Sequence, residues 1–176
     1  MKLLFVAAVD FELDVARSLR AGTDDRFVCS GMGPEATRGA LAPALAAGGF
    51  DLAVDIGLAG SYSDRFPLGE VVQVVSERFG DAPDRFLRNP APPALFASLP
   101  LASGNTVPAL DARYRGVAAD VESMEGAAFV EACLAAGVPF AEIRAVSNAV
   151  GEEDRTRWNI PLALQNLRNY LSTLSF

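Results

Sequence analysis

Short apolar runs alternate along this chain with stretches whose apolar positions recur at helical spacing, a pattern that predicts an α/β fold. The runs Leu3 to Val9, Arg26 to Cys29, Leu52 to Ile56, Glu70 to Ser76 and Phe140 to Val146 read as strands. Helices fit Phe11 to Leu19, the Ala-rich Pro34 to Ala47, Gly126 to Ala135, and Ile160 to Leu174, where Leu162, Leu167, Leu171 and Leu174 fall on one stripe. Pro139 blocks continuation of the third helix into the strand that follows. The expected architecture is a three-layer sandwich, a central twisted mixed β-sheet flanked by helices, in one domain spanning 1–176 without internal repeats. Gly80 to Pro100 carries Pro83, Pro90, Pro92, Pro93 and Pro100, which bars a central strand or a long helix and predicts a loop.

Composition narrows the function. A hydrophobic fraction of 51% supports a real core, and a formal charge of −7 argues against nucleic acid or an anionic membrane as partner. The chain has no histidine, so an imidazole base, a serine triad and most zinc sites are set aside. Cys29 and Cys133 read as two buried free thiols. The first apolar run is short and meets Asp10 and Glu12 at once, with no small-residue cleavage site, so it reads as a strand and not as a leader. No later stretch is long and apolar enough to span a bilayer, and a cytoplasmic protein is expected.

Polar residues interrupt the pattern in informative places. Glu125 opens the third predicted helix, where free N–H groups stabilise negative charge. The next strand contains Arg144, a charge that a buried strand does not tolerate unpaired, and ends at Ser147 and Asn148. Ligands of open α/β sheets bind at the carboxyl ends of strands, so Glu125, Arg144 and Asn148 are expected to converge there. The glycine clusters Gly31 to Gly33 and Gly57 to Gly60 follow apolar runs, where glycine serves tight turns and close backbone approach to a ligand. Neither is a complete dinucleotide fingerprint or P-loop.

The motifs AVDFE at Ala8 to Glu12, SGMG at Ser30 to Gly33, DIGLAGSY at Asp55 to Tyr62, PLGEVV at Pro67 to Val72, SGNTV at Ser103 to Val107, ESMEGAAF at Glu122 to Phe129 and VPFAEIRAVSN at Val138 to Asn148 together resemble the purine nucleoside phosphorylase and nucleosidase family. They occur in the family's order over nearly the whole chain. GLAGSY, VESMEGAAF, IRAVSN and DRTRWNIPLAL are most similar to the branch that hydrolyses futalosine.

The resemblance implies catalytic roles for Glu12, which activates water, Asn148, which supports the departing base, and Arg144, which orders the site. It implies that Glu125 accepts hydrogen bonds from the ribose 2′ and 3′ hydroxyls and that Met124 packs on the ribose. It places Ala8, Met32, Leu58, Ala59, Gly60, Thr106, Val107 and Ser147 around the substrate, with Val107 where some relatives have a stacking aromatic. Plain structural readings stand beside these: Glu12 as an exposed helix-start acid, Met124 as core, Arg144 with Glu125 as an ion pair, Asn148 as a loop cap.

Relatives acting on 6-aminopurines carry aspartate at the position of Asn148. An amide donates to N7 and to a 6-oxo group but does not readily deliver a proton, which favours hypoxanthine. Ala8 to Glu12 offers two acids and no base, and Leu58 replaces a hydroxyl, so water is expected in place of phosphate as nucleophile. Arg155, Arg157 and Trp158 could face a carboxylated aromatic 5′ group, although Glu152, Glu153 and Asp154 stand close enough in sequence to pair with both arginines. The chain departs from the family in being shorter between Arg78 and Ser103 and between Pro108 and Val117. The resemblance implies a futalosine-type nucleosidase with no metal or organic cofactor, a small-molecule purine nucleoside as ligand, and a homodimer or higher homo-oligomer. The alternatives are a nucleosidase for aminodeoxyfutalosine or a methylthioadenosine-like substrate, and a non-catalytic nucleoside-binding subunit.

Overall fold

The computed structural model describes residues 1–80, 82–109 and 117–176. Most of the segment Pro108 to Val117, one of the two expected to be shortened, lies outside the described residues. The elements run β1 (Leu3–Ala7), α1 (Asp10–Leu19), β2 (Arg26–Cys29), α2 (Pro34–Ala46), β3 (Leu52–Ser61), β4 (Val71–Phe79), β5 (Ala82–Arg88), β6 (Leu101–Thr106), β7 (Val121–Ser123), α3 (Gly126–Ala136), β8 (Phe140–Ala149) and α4 (Ile160–Ser172). All eight strands form one mixed sheet in the order β2-β1-β3-β7-β6-β4-β5, with β8 paired to both β3 and β4.

The three layers follow from which face each side chain takes. On β3, Leu52, Val54 and Ile56 pack with Leu13 and Val15 of α1 and Leu167 and Leu171 of α4. The alternate residue Ala53 packs with Leu41 and Leu45 of α2 and Phe129 and Cys133 of α3 on the other side. With both faces covered, β3 and β8 are buried almost throughout, and the charges they carry, Asp55 on β3 and Glu142 and Arg144 on β8, are buried with them. The double pairing of β8 closes β3, β7, β6, β4 and β8 into a ring, whose interior is lined at one end by Ala59, Phe66, Val72, Val74, Ala102, Val121 and Val146.

The helix ends obey local chemistry. Pro34 starts α2 after Gly33, whose φ of 92° suits glycine, and Asn159 caps α4 by accepting from the Leu162 N–H at 3.2 Å. Gly137, at φ 66°, ends α3 just before Pro139.

Four expectations are corrected. Residues Ala82–Arg88, expected as loop, form β5, because an edge strand paired only to β4 tolerates the proline that a central strand does not. Strands β6 and β7 carry too few apolar residues to stand out in sequence. Gly57 to Gly60 lie inside β3 and not in a turn, since pairing with β8 carries the strand through to Ser61. Cys29 is exposed while Cys133 is buried. Among the described residues no helix is long and apolar enough to cross a membrane.

Candidate active site

A cavity of about 350 Å³ opens at the carboxyl ends of β1, β3 and β8, in the size range of small-molecule sites. Its walls include Ala8, Val9, Phe11 and Glu12 from the end of β1 and α1, Met32 from the glycine loop, Leu58, Ala59 and Gly60 of β3, and Glu122, Ser123, Met124 and Glu125 around β7. Ser147 and Asn148 of β8, with Arg155, Trp158 and Ile160, complete it.

Glu12 is buried on the inner face of α1 and is not a solvent-exposed helix-start acid. Its Oε1 accepts from the Leu58 N–H at 2.9 Å, and its Oε2 is buried without a hydrogen-bond partner among the described residues. Burial raises its pKa above the ordinary 4.5; the Leu58 N–H and the charge of Arg144 work against that rise, and Glu125 adds to it. The result is a stronger base than a surface glutamate, with one carboxylate oxygen buried and unpaired among the described residues.

Glu125 is buried where β7 passes into α3. The N–H groups that hold its carboxylate are not those of its own helix: Gly33, at the start of α2, donates to Oε1 at 3.0 Å, and Met124 donates to Oε2 at 3.2 Å. The Gly31–Gly33 loop therefore orients an acid distant in sequence. Met124 is partly exposed and lines the cavity.

Arg144 lies behind the cavity and not on its wall. It is 1% exposed, donates from Nε to Glu142 Oε1 at 2.9 Å, and pairs through Nη2 with Asp55. The expected ion pair with Glu125 is absent among the described residues. Burial disfavours the Arg144 cation, but Asp55, Glu142, Glu125 and Glu12 outweigh it and keep its pKa above the usual value. Arg144 still reaches Glu12 through a glycine: a Cβ on Gly57 would stand 2.6 Å from Arg144 Nη1 and 3.1 Å from Glu12 Oε1. A side chain on Gly57 would force the two apart.

Besides Arg144, Thr106 and Val107 are expected site residues that do not line the cavity. Thr106 spends its hydroxyl on Glu77, donating at 2.8 Å, and on the Ala127 N–H, accepted at 2.7 Å, while Val107 is fully buried.

At the base end, Ser147 Oγ donates to Asn148 Oδ1 at 2.8 Å and Asn148 Nδ2 donates to the Ala149 carbonyl at 3.0 Å. These two bonds fix the amide and leave a second Nδ2 hydrogen to donate. Beyond β8 the arginines divide. Arg157 pairs with Glu152 at 3.3 Å, whereas Arg155 lines the cavity with its guanidinium 5.7 Å from the centre of the Trp158 ring. Trp158 is anchored by donating from Nε1 to the Glu152 carbonyl at 3.0 Å.

Glu122 and Ser123 on the wall were not singled out from the sequence, nor were Val9, Phe11 and Ile160. For Glu122 the signal was present, a charge three residues before the motif glutamate, but its facing depends on the pairing of β7, which the sequence does not reveal.

Comparison with known proteins identifies the family and the fold. The model of the Phosphorylase superfamily matches residues 94–175. The chain is 34% identical to a futalosine hydrolase of Thermus thermophilus, over 83% of this chain and 79% of that one. It is 30% identical to a futalosine hydrolase of Streptomyces coelicolor, over 99% and 95%. Among solved structures, the 5′-methylthioadenosine/S-adenosylhomocysteine nucleosidase of Colwellia psychrerythraea in complex with adenine shares the fold, with a TM-score of 0.81 at 20% identity over 99% of this chain and 96% of that one. An identity of that order over nearly the full length, with the fold and the motif residues gathered at one cavity, means that the chain belongs to the phosphorylase superfamily, in its family of purine nucleoside phosphorylases and nucleosidases.

Proposed function

We propose that this protein is a nucleosidase that hydrolyses the N-glycosidic bond of futalosine, releasing hypoxanthine and dehypoxanthine futalosine for menaquinone biosynthesis. The coarser part of the reading, hydrolysis of a purine N-glycosidic bond, is supported by family membership and by relatives that are nucleosidases. The observation that carries the chemistry is the pair of buried carboxylates on the cavity wall, with Glu12 Oε2 lacking a partner.

Cleavage passes through an oxocarbenium-like state in which positive charge develops at C1′. Glu125 holds the ribose hydroxyls and, with Glu12, surrounds that charge with negative potential. The C1′–N9 bond breaks with its electron pair going to the base. Glu12 takes a proton from water as the water oxygen bonds to C1′, and that proton is returned to the departing base or to solvent. A carboxylate suffices for this weakly basic task because the electrophile is already cationic. Asn148 donates its remaining Nδ2 hydrogen on the N7 and O6 side as the base takes on negative charge.

Water is favoured over phosphate because the cavity has three carboxylates, Glu12, Glu122 and Glu125, against one cation on its wall, Arg155. Arg155 and Trp158 supply the charge and the flat apolar surface for a carboxylated aromatic 5′ extension. One domain, residues 1–176, carries the activity. Phe11 and Met32, exposed at the cavity rim, suit coverage by a second copy in a homo-oligomer. The setting is the cytoplasm.

A second reading, a nucleosidase for 6-aminopurine substrates such as methylthioadenosine, is favoured by the likeness to the Colwellia enzyme. The test is chromatographic: the protein with futalosine, inosine, aminodeoxyfutalosine and methylthioadenosine, each with and without phosphate. Hypoxanthine release from futalosine at a rate indifferent to phosphate is expected. Adenine release would move the assignment to the second reading, and binding without release of either base would make the chain a nucleoside-binding subunit.

A further inference from the structure

Strand pairing places four residues in one row across the sheet. Asn105 on β6 pairs with Glu122 on β7, Glu122 pairs with Gly60 on β3, and Gly60 pairs with Asn148 on β8. Paired residues direct their side chains to the same face, which puts Asn105 and Glu122 together; the β3–β8 register shifts between Ala59 and Gly60, and Asn148 faces the same cavity as Glu122 with a bare glycine between them. Gly60 has to be bare: a Cβ there would lie 3.1 Å from Asn148 Nδ2 and 3.1 Å from Val150 Cγ2. The Asn148 amide thus leans across Gly60 toward Glu122, and Glu122, Gly60 and Asn148 all line the cavity. Two strand spacings separate the backbones of Glu122 and Asn148 by roughly 10 Å. A purine edge with one hydrogen bond at each end fills such a span.

The Glu122 side chain is held for this purpose. Asn105 Nδ2 donates to the Tyr62 hydroxyl oxygen at 2.8 Å, which turns the Tyr62 proton toward Glu122, and Tyr62 donates to Glu122 Oε2 at 2.8 Å. An oxygen that receives an O–H bond is held as an acceptor. The other oxygen, Oε1, takes no hydrogen bond from a described residue. Burial raises the Glu122 pKa and the Tyr62 bond opposes that rise, so the relay works to keep the group ionised in an apolar wall.

We infer that Glu122 is the specificity-determining residue for the base: its free oxygen accepts from the N1–H of a 6-oxopurine while Asn148 donates on the O6 and N7 side. A 6-aminopurine presents an unprotonated N1, whose lone pair faces the carboxylate and is rejected. Tyr62 and Asn105 are positioning residues that act through Glu122. This rests on the purine nucleosidase reading above and adds a second selector to Asn148, on the opposite end of the base.

Glu122→Gln and Tyr62→Phe test it. In Glu122→Gln, Oε1 stays with the Tyr62 hydroxyl and the amide N–H group faces N1. The ratio of kcat/KM for futalosine to that for aminodeoxyfutalosine is expected to fall about 10- to 100-fold, the size of a lost charge-assisted hydrogen bond. Tyr62→Phe should move the ratio the same way by less, and should raise the pH at which the 6-oxo preference sets in, an effect that a merely structural tyrosine would not produce. Binding of free hypoxanthine and free adenine, followed by Trp158 fluorescence or calorimetry, is measured alongside because it needs no turnover.

Release of hypoxanthine with an unchanged ratio in both variants would overturn the Glu122 role and leave the hydrolase intact. If no substrate is cleaved, yet hypoxanthine binds more tightly than adenine and loses that advantage in Glu122→Gln, the hydrolase reading falls and the Glu122 role stands. A wild-type preference for adenine would overturn the assignment of Glu122.

Discussion

Glu12 concentrates the residue-scale argument, because one carboxyl oxygen is tied to the Leu58 N–H and the other is buried without a partner among the described residues. Replacement by glutamine keeps the Leu58 bond and the volume but removes the base. In the proposed reaction Glu12→Gln lowers kcat by roughly 10²- to 10⁴-fold with KM changed far less. The wild-type rate should climb as pH rises through a raised Glu12 pKa, above the ordinary 4.5, since only the ionised form accepts the proton. Steady-state kinetics across pH give both results, and a Glu12→Gln variant as fast as the parent would remove water activation from this residue. Glu12, Glu125 and Asn148 were legible in the sequence because each sits in a local motif that ends a strand or opens a helix. Glu122 was not, because its role needs Asn105 and Tyr62, and those three meet only through the pairing of β3, β6 and β7. Thr106 was misplaced for a similar reason: its motif gives a hydroxyl at a strand end, but Glu77 of β4 claims that hydroxyl from the neighbouring strand.

At the scale of elements, the sequence revealed strands that carry a run of apolar residues and concealed those that do not. β1 is apolar throughout, and β3 and β8 hold apolar runs around a few buried polar groups, while β6, LASGNT, has one buried apolar side chain, and β7 has three residues, one of them Glu122. What makes β6 a strand is its pairing to β4 and β7, long-range contacts that no local pattern records. Its glycine is part of that packing. A Cβ on Gly104 would overlap the Glu77 carboxyl and come 2.9 Å from Val74 Cγ1, and one on Gly126 at the start of α3 would lie 2.5 Å from Glu142 Oε1 and 2.6 Å from Glu77 Oε1. Gly104→Ala is therefore expected to push Glu77 off the Thr106 hydroxyl and to cost about 1–3 kcal/mol, through overpacking and a broken buried hydrogen bond. Urea unfolding measures it; a midpoint equal to wild type would mean that the carboxyl has room to move aside.

Across the whole molecule, closure of the sheet by β8 encloses more carboxyl groups than cations. Asp55, Glu77 and Glu142 are buried around Arg144, with Glu12 and Glu125 on its cavity side. Burial raises all three inner acids above their ordinary 3.8 to 4.5; Arg144 counters the rise at each, but one guanidinium does not neutralise the set. A carboxyl whose folded pKa exceeds its unfolded value binds its proton more tightly in the native state. Its stabilising contribution is complete below the unfolded pKa, near 4, and is lost as pH rises through the folded pKa. Asp25 and Asp120 act in the opposite sense. Burial works against their charge, but Arg20 and the Leu3 N–H at Asp25, and the Ser103 N–H and hydroxyl at Asp120, lower both below 3.8, so their contribution is lost as pH falls through the folded pKa. Stability should therefore decline as pH rises above the ordinary carboxyl range, by up to about 1.4 kcal/mol per pH unit for each proton released on unfolding. The chain has no histidine, the residue that ordinarily titrates between carboxyl groups and neutrality, so the decline belongs to the buried acids. Glu77→Gln can keep the Thr106 bond and loses the titration, and it should flatten the dependence of Tm on pH while leaving the molecule at least as stable near pH 8. A wild-type Tm that is level from pH 5 to 8, or a slope that Glu77→Gln leaves intact, would mean that Arg144 and the surrounding hydrogen bonds hold the cluster at the same ionisation folded as unfolded.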